Sequence, residues 1–220
     1  MDTKPLLTIG NFSQSSFPMD TIPNVIRRIQ SYETKQYHSF QLVLVHWNEE
    51  DLEELRYMLG RANAQFLKKE FLQWISDEAI NPGRAFMEEP ERWSPHLVCG
   101  KFTYTYNERL RGNLRELIKL LREQQDTRRA FLPIWRNEDR MRAAGPTDVP
   151  CVIGFHFQVT EGYLNLTTIM RSLDIINCLP NDVYLSIRLL EYVAREVDIK
   201  IGIFLLWSSN AHIKKGGLRG

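Results

Sequence analysis

Long apolar runs are missing from this 220-residue chain, and a helix that crosses a bilayer needs about 20 such residues in a row. Cysteine is scarce. Cys99, Cys151 and Cys178 are odd in number and fall in no CxxC or Cys/His spacing, which argues against a disulfide framework or a zinc site and makes a reducing cytoplasm the expected location. Excess charge of one sign is absent too: 28 Lys and Arg face 27 Asp and Glu, a net charge of +1. No global field therefore draws the chain to nucleic acid or an acidic membrane, although a local phosphate site would leave no trace in that sum. The opening MDTKPLLTIGNF has no basic start, long apolar stretch or small-residue cleavage site, so no signal peptide is expected. Internal repeats and low-complexity tracts are lacking. What is present, 43% hydrophobic and 25% charged residues, is ordinary globular composition with enough length to bury a sizeable core.

Hydrophobic periodicity predicts a mixed α+β domain. SFQLVLVH (39–46) reads as a buried strand, and residues 48–80 as a helical stretch that Asn48 is placed to cap. Prolines 82, 90 and 95 break residues 81–95 into a loop. LVCGKFTYTY (97–106) reads as a strand, RGNLRELIKLLREQQ (111–125) as an amphipathic helix, and RRAFLPIWR (128–136) as a strand. Residues 149–175 form a predicted hairpin turning at Glu161-Gly162. A long helix (182–199) and a last strand (200–213) follow.

Five polar placements stand out. Cys151 follows Pro150 at the head of a strand. It is either a small core residue, since cysteine is among the most buried types, or a thiol placed to react, which needs positive neighbours to favour the thiolate. Arg128 and Arg129 are consecutive, and guanidinium forks match phosphate oxygens. Neighbouring strand side chains point to opposite faces, however, so one of the two is solvated or serves another surface. Arg171, Ser172 and Asp174 interrupt an otherwise apolar strand and must pair or bind something, because unpaired buried charge is expensive. Asp182, after Pro180-Asn181, reads as the N-cap of the next helix. His212, near a strand end, is a ligand contact or an edge histidine.

In order, "TRR … W … PC … RS-D … LP-D … LLEYVA … AHI" resembles the thymidylate synthase and deoxycytidylate hydroxymethylase family from about Tyr106 to His212. The intervals Cys151 to Arg171 and Arg171 to His212, 20 and 41 residues, match the family pattern without a gap. The resemblance implies an α+β fold, a mixed sheet with flanking helices, in one catalytic domain over residues 1–220 that dimerises through the sheet. It implies a one-carbon transferase of nucleotide biosynthesis, a methyltransferase or hydroxymethyltransferase. The substrates are a pyrimidine nucleoside monophosphate, dCMP or dUMP, and 5,10-methylenetetrahydrofolate, with no metal, DNA or membrane partner. On this likeness Cys151 is the nucleophile that adds to C6 of the base. Arg171 and Ser172 hold the phosphate, and Arg128 and Arg129 reach across the homodimer interface to the neighbouring phosphate. Asp174 lies against the base, His212 against the sugar hydroxyl, and Tyr106 in the surroundings of the thiol. ELRYMLGRANAQFL (54–67) resembles a segment that makes Glu54 the proton-relaying glutamate, with Glu53 its rival.

Asp182 bears on the substrate. By the resemblance, enzymes that methylate deoxyuridylate usually carry Asn here, and deoxycytidylate hydroxymethylases carry Asp. A carboxylate only accepts hydrogen bonds and so suits the exocyclic amine of cytosine, which favours dCMP. A one-residue shift would present Asn181 instead, so methylation of dUMP to dTMP stays open. There are departures from the family pattern. Val152, Met170 and Lys214 stand where His, Gln and Tyr are usual, and Ser208 and Ser209 replace a glycine pair. TIGNFSQSSFPMD shows no Arg-Thr-Gly loop. The chain stops eight residues after His212, where family members commonly continue to close over folate. Water admitted there favours a hydroxymethyl product. These departures leave a non-catalytic nucleotide-binding relative as a third reading, against which the joint presence of Cys151, Arg128, Arg129 and Arg171 speaks.

Overall fold

The computed structural model describes residues 6–10, 39–45, 63–145 and 148–212. Strands β1 (Leu6–Gly10) and β2 (Ser39–Val45) precede α1 (Ala64–Trp74). An irregular stretch then holds two single 3-10 turns, Ala85–Glu88 and Ser94–His96, on either side of α2 (Pro90–Trp93). After α3 (Tyr106–Leu110) and α4 (Asn113–Glu123) come β3 (Phe131–Pro133) and α5 (Asn137–Arg142). The rest is β4 (Val152–Thr160), β5 (Tyr163–Met170), β6 (Leu173–Asp174), α6 (Leu179–Val197) and β7 (Lys200–His212).

The strands form one mixed sheet in the order β1-β2-β7-β5-β4-β3, with β6 also on β7. β1 and β2 are parallel, as are β5 and β7, while β2 with β7, β4 with β5 and β3 with β4 are antiparallel. Glu161 and Gly162 both take positive φ, 53° and 79°, the backbone of the two-residue turn whose twist matches that of the strands it joins. In β5, Leu164, Leu166 and Met170 alternate with less buried neighbours and point to one face, as the period of two requires. There they meet α6, which is flanked by α1 and α4 and buries Val183, Leu189, Leu190 and Val193. The other face exposes Phe131, Tyr163, Ile201 and Ile203.

The α+β reading of the sequence holds, with local corrections. Residues 97–106 form no strand beyond a bridge between Val98 and Lys101. A capping box between Thr105 and Glu108 starts α3 instead, because reciprocal capping satisfies amides that a helix start leaves open. The helix expected within residues 48–80 appears as Ala64–Trp74, capped by Asn63, and its expected cap Asn48 lies outside the described residues. α6 begins at Leu179, three residues early, because Pro180 in its first turn needs no intrahelical donor.

Candidate active site

A cavity of about 940 Å³ opens between α1, the irregular stretch 82–105, the approach to β4 and the β6–α6 turn. Cys151, Asp174, Asp182 and Tyr106 line it together. Cys151 is half-buried at the last position before β4, and its carbonyl accepts from the Arg171 amide at 2.9 Å. The Arg171 guanidinium donates to the carbonyls of Pro150 (2.8 Å) and Val149 (3.2 Å) and lies over the Trp135 ring, 5.6 Å from its centroid. Arg171 thus fixes the segment that presents the thiol.

Asp174 is 5% exposed and shapes the turn into α6. Its carboxylate accepts from the amides of Ile176 and Asn177 and from the Asn177 side chain, at 3.2, 3.1 and 2.8 Å. Asp182 is not the helix cap. Cys178 holds that position, and the Asp182 amide donates to the Cys178 carbonyl at 2.9 Å. Among the described residues no donor reaches the Asp182 carboxylate. Burial lifts its pKa from 3.8 to about 7; Arg92 opposes the rise and Asp174 adds to it. Burial likewise pushes the Cys178 thiol up to about 12. The Tyr104 and Tyr106 phenols are driven well above their ordinary value, chiefly by burial, so both stay protonated donors.

Much of the cavity lining is aromatic. Phe66 and Trp93 stack 5.5 Å apart, Trp74 stacks on Tyr106 at 4.8 Å, and Phe86 meets Phe102 edge-on at 5.8 Å. Glu70 accepts there from Trp74 Nε1 and Gln73 Nε2, each at 2.9 Å, and burial raises its pKa. Such rings offer flat apolar surface on which a heterocycle can stack, with polar groups at hand to orient it. No cluster of three metal-ligating side chains occurs among the described residues.

Other sequence-predicted residues lie away from the cavity lining. Arg171, Ser172 and His212 are not among the residues that line the cavity; Ser172 Oγ is 3.4 Å from His212 Nδ1, pairing an expected phosphate residue with the expected sugar residue. Arg128 and Arg129 are exposed just before β3. Glu54 lies outside the described residues. Sequence reasoning missed Arg92, Glu89 and Trp93 on or beside α2, and Tyr104 and Cys178. The α2 residues carry no periodic signal, since that helix is a single turn between prolines.

The sequence profile of the thymidylate synthase family matches residues 44–216. A protein of Methanosarcina acetivorans named "Putative thymidylate synthase" is 32% identical over 136 residues, covering 57% of this chain and 61% of that one. Its namesake in Methanothermobacter thermautotrophicus is 34% identical over 135 residues, covering 57% and 59%. The chain therefore spans about three fifths of the length of the curated relatives it matches. Among solved structures, thymidylate synthase A of Bacillus subtilis superposes with a TM-score of 0.65 over 86% of this chain and 77% of that one, at 15% identity. A T4 phage thymidylate synthase gives 0.60 over 82% and 67%, at 18% identity.

Proposed function

Because the chain belongs to the thymidylate synthase family, we propose that it is a one-carbon transferase modifying C5 of a pyrimidine nucleoside monophosphate, with dCMP the favoured substrate and Cys151 the nucleophile. One observation carries the reading: Cys151 and the Asp182 carboxylate, which finds no donor among the described residues, line one cavity. The Cys151 thiolate adds to C6, and the electron pair of the C5–C6 bond makes C5 nucleophilic, a covalent route that divides one hard step into easier ones. Asp182 accepts from the exocyclic amine of cytosine. The protonated Tyr104 and Tyr106 phenols serve as donors beside the ring. Once the one-carbon unit is bonded to C5 and released from its carrier, with water supplying the hydroxyl group, loss of the C5 proton and departure of Cys151 from C6 restore the aromatic base. The aromatic lining at Phe66, Trp93 and Phe86 would hold methylenetetrahydrofolate, which supplies the one-carbon unit.

Arg171 and Ser172 hold the phosphate in this reading, His212 the sugar hydroxyl, and Asp174 the shape of the base pocket; Glu54 relays protons. The apolar sheet face with Phe131, Tyr163, Ile201 and Ile203 pairs two copies, and Arg128 and Arg129 act across that interface, in a single domain over residues 1–220. The free thiols suit a reducing cytoplasm. A second reading, methylation of dUMP to dTMP, draws on the names of the relatives and on Asp182 when protonated. Tritium release from [5-³H]dCMP and [5-³H]dUMP, with and without methylenetetrahydrofolate, tests both. Carrier-dependent release from dCMP that vanishes in Cys151→Ala is the expected result. Release from dUMP alone would select the second reading, and release from neither would end both.

A further inference from the structure

Arg92 reaches from α2 to the start of α6. Its Nη1 is bonded to Glu89 Oε2 at 3.1 Å, and the same oxygen accepts from Trp93 Nε1 at 3.1 Å. Its Nη2 donates to the Asn177 carbonyl at 2.9 Å and lies 3.8 Å from Cys178 Sγ. The guanidinium also covers the Trp93 ring, 4.7 Å from the centroid, and the side chain is 29% exposed. The arginine is thus held at three points, and its charge sits beside the helix cap. Cys178 and Asp182 are four positions apart and so share a helix face; both line the cavity with Arg92.

We propose that Arg92 is a specificity-determining positioning residue: its anchored guanidinium biases the Asp182 carboxyl toward the charged, accepting form and so sets the preference for a 4-amino over a 4-oxo pyrimidine. The chemistry is a donor–acceptor match. Charged, Asp182 accepts from a 4-amino group and faces a 4-oxo group acceptor to acceptor. Protonated, it donates to the 4-oxo oxygen while its carbonyl accepts from N3–H. The described ionisable groups that act on Asp182 or line the cavity about it are Arg92 on α2 with its ion-pair partner Glu89, His96 in the turn after α2, Asp174 on β6, Cys178 at the cap, Tyr104 and Tyr106 about the start of α3, and Asp148 and Cys151 before β4. Arg92 is the permanently charged cation among them. Asp174 is saturated by its own turn, and burial puts the balance of Asp182 near pH 7, where one nearby charge decides the outcome.

The inference rests on the nucleotide reading above but not on turnover, so the test is binding. Calorimetric Kd values for dCMP and dUMP are compared between about pH 5.5 and 8.5, a window spanning the Asp182 transition. In the wild type, preference should pass from dUMP to dCMP as pH rises through about 7. Arg92→Gln keeps a donor for the Asn177 carbonyl but drops the charge. It should move that crossover up by about one pH unit and cut the dCMP preference near pH 7.5 about tenfold, while Arg92→Lys restores it. Equal weakening toward both nucleotides in Arg92→Gln, with an unmoved crossover, would mean Arg92 only packs and would overturn the inference. A wild-type preference flat with pH would overturn it too. A pH-dependent preference without tritium release would end the transferase reading and leave Arg92 in its role. Failure to bind either nucleotide would end both.

Discussion

Asparagine in place of Asp182 should stabilise the protein while weakening turnover of dCMP, the substrate proposed above, and the stabilisation should grow with pH. The folded carboxyl titrates at about 7 against 3.8 for the free group. Between those values the folded chain keeps a proton that the unfolded chain has released. Stability therefore falls as pH rises from about 4 to about 7 and is level above. At about 1.4 kcal/mol per unit over roughly three units, the loss is about 4 kcal/mol. An amide does not titrate, so Asp182→Asn escapes it. The variant should be more stable by about 1–2 kcal/mol at pH 5 and about 4 kcal/mol at pH 8, the latter about 10 °C in Tm. Comparing wild type and variant by calorimetry and urea unfolding at both pH values cancels every other titrating group. A gap that stays constant or widens toward acid would refute the argument. The same variant replaces one of the two carboxylate acceptors with an amide donor and removes the charge that faces the 4-amino group, and kcat/KM for dCMP should fall by about 30- to 150-fold, the cost of about 2–3 kcal/mol for a weakened polar contact.

Two further outcomes follow from buried groups. Arg109 is 3% exposed and bonded at 2.7 Å to Asp139, which is fully buried; Arg109→Met should cost about 3–5 kcal/mol in thermal unfolding by stranding that carboxylate, and Asp139→Asn in the same background should recover part of it. Cys178, its thiol pushed up to about 12 by burial, should react with iodoacetamide at about pH 8 more slowly than exposed Cys99, as peptide mass mapping would show; the reverse order would refute the burial argument.

Much of the sheet was legible because its signals are local. Alternation in β5 and a turn residue pair that tolerates positive φ need no knowledge of distant contacts. Four residues of the cavity lining, Cys151, Asp174, Asp182 and Tyr106, could be named through the resemblance of the ordered motifs to a known family. FTYTY misled because its aromatics line a cavity and stack on side chains such as Trp74 and Phe86, an environment that imitates strand alternation. The T-x-x-E signature at Thr105 to Glu108 was there to correct it. Asp182 looked like a cap because Pro180 seemed to precede the helix, yet proline is accommodated inside a first turn. Arg92 was beyond reach: its bonds to Asn177 and Cys178 join residues 85 and 86 positions apart, and nothing near it in the chain announces them.

The stretch between α1 and α3 has little regular structure, yet side-chain amides rivet it to its neighbours. Asn107 is buried and donates to the carbonyls of Gln73 and Ser76 while accepting from the Ile80 amide. Asn81 clasps Phe102 through both its amide and its carbonyl. The Gln73 oxygen takes the amides of Arg84 and Ala85. Each rivet borrows backbone groups that a helix or strand would have matched by itself, so this cavity wall has the cohesion of regular structure without its repeat. The frame rests on these three amides, and the positions between them are left to face the cavity that Cys151 also lines.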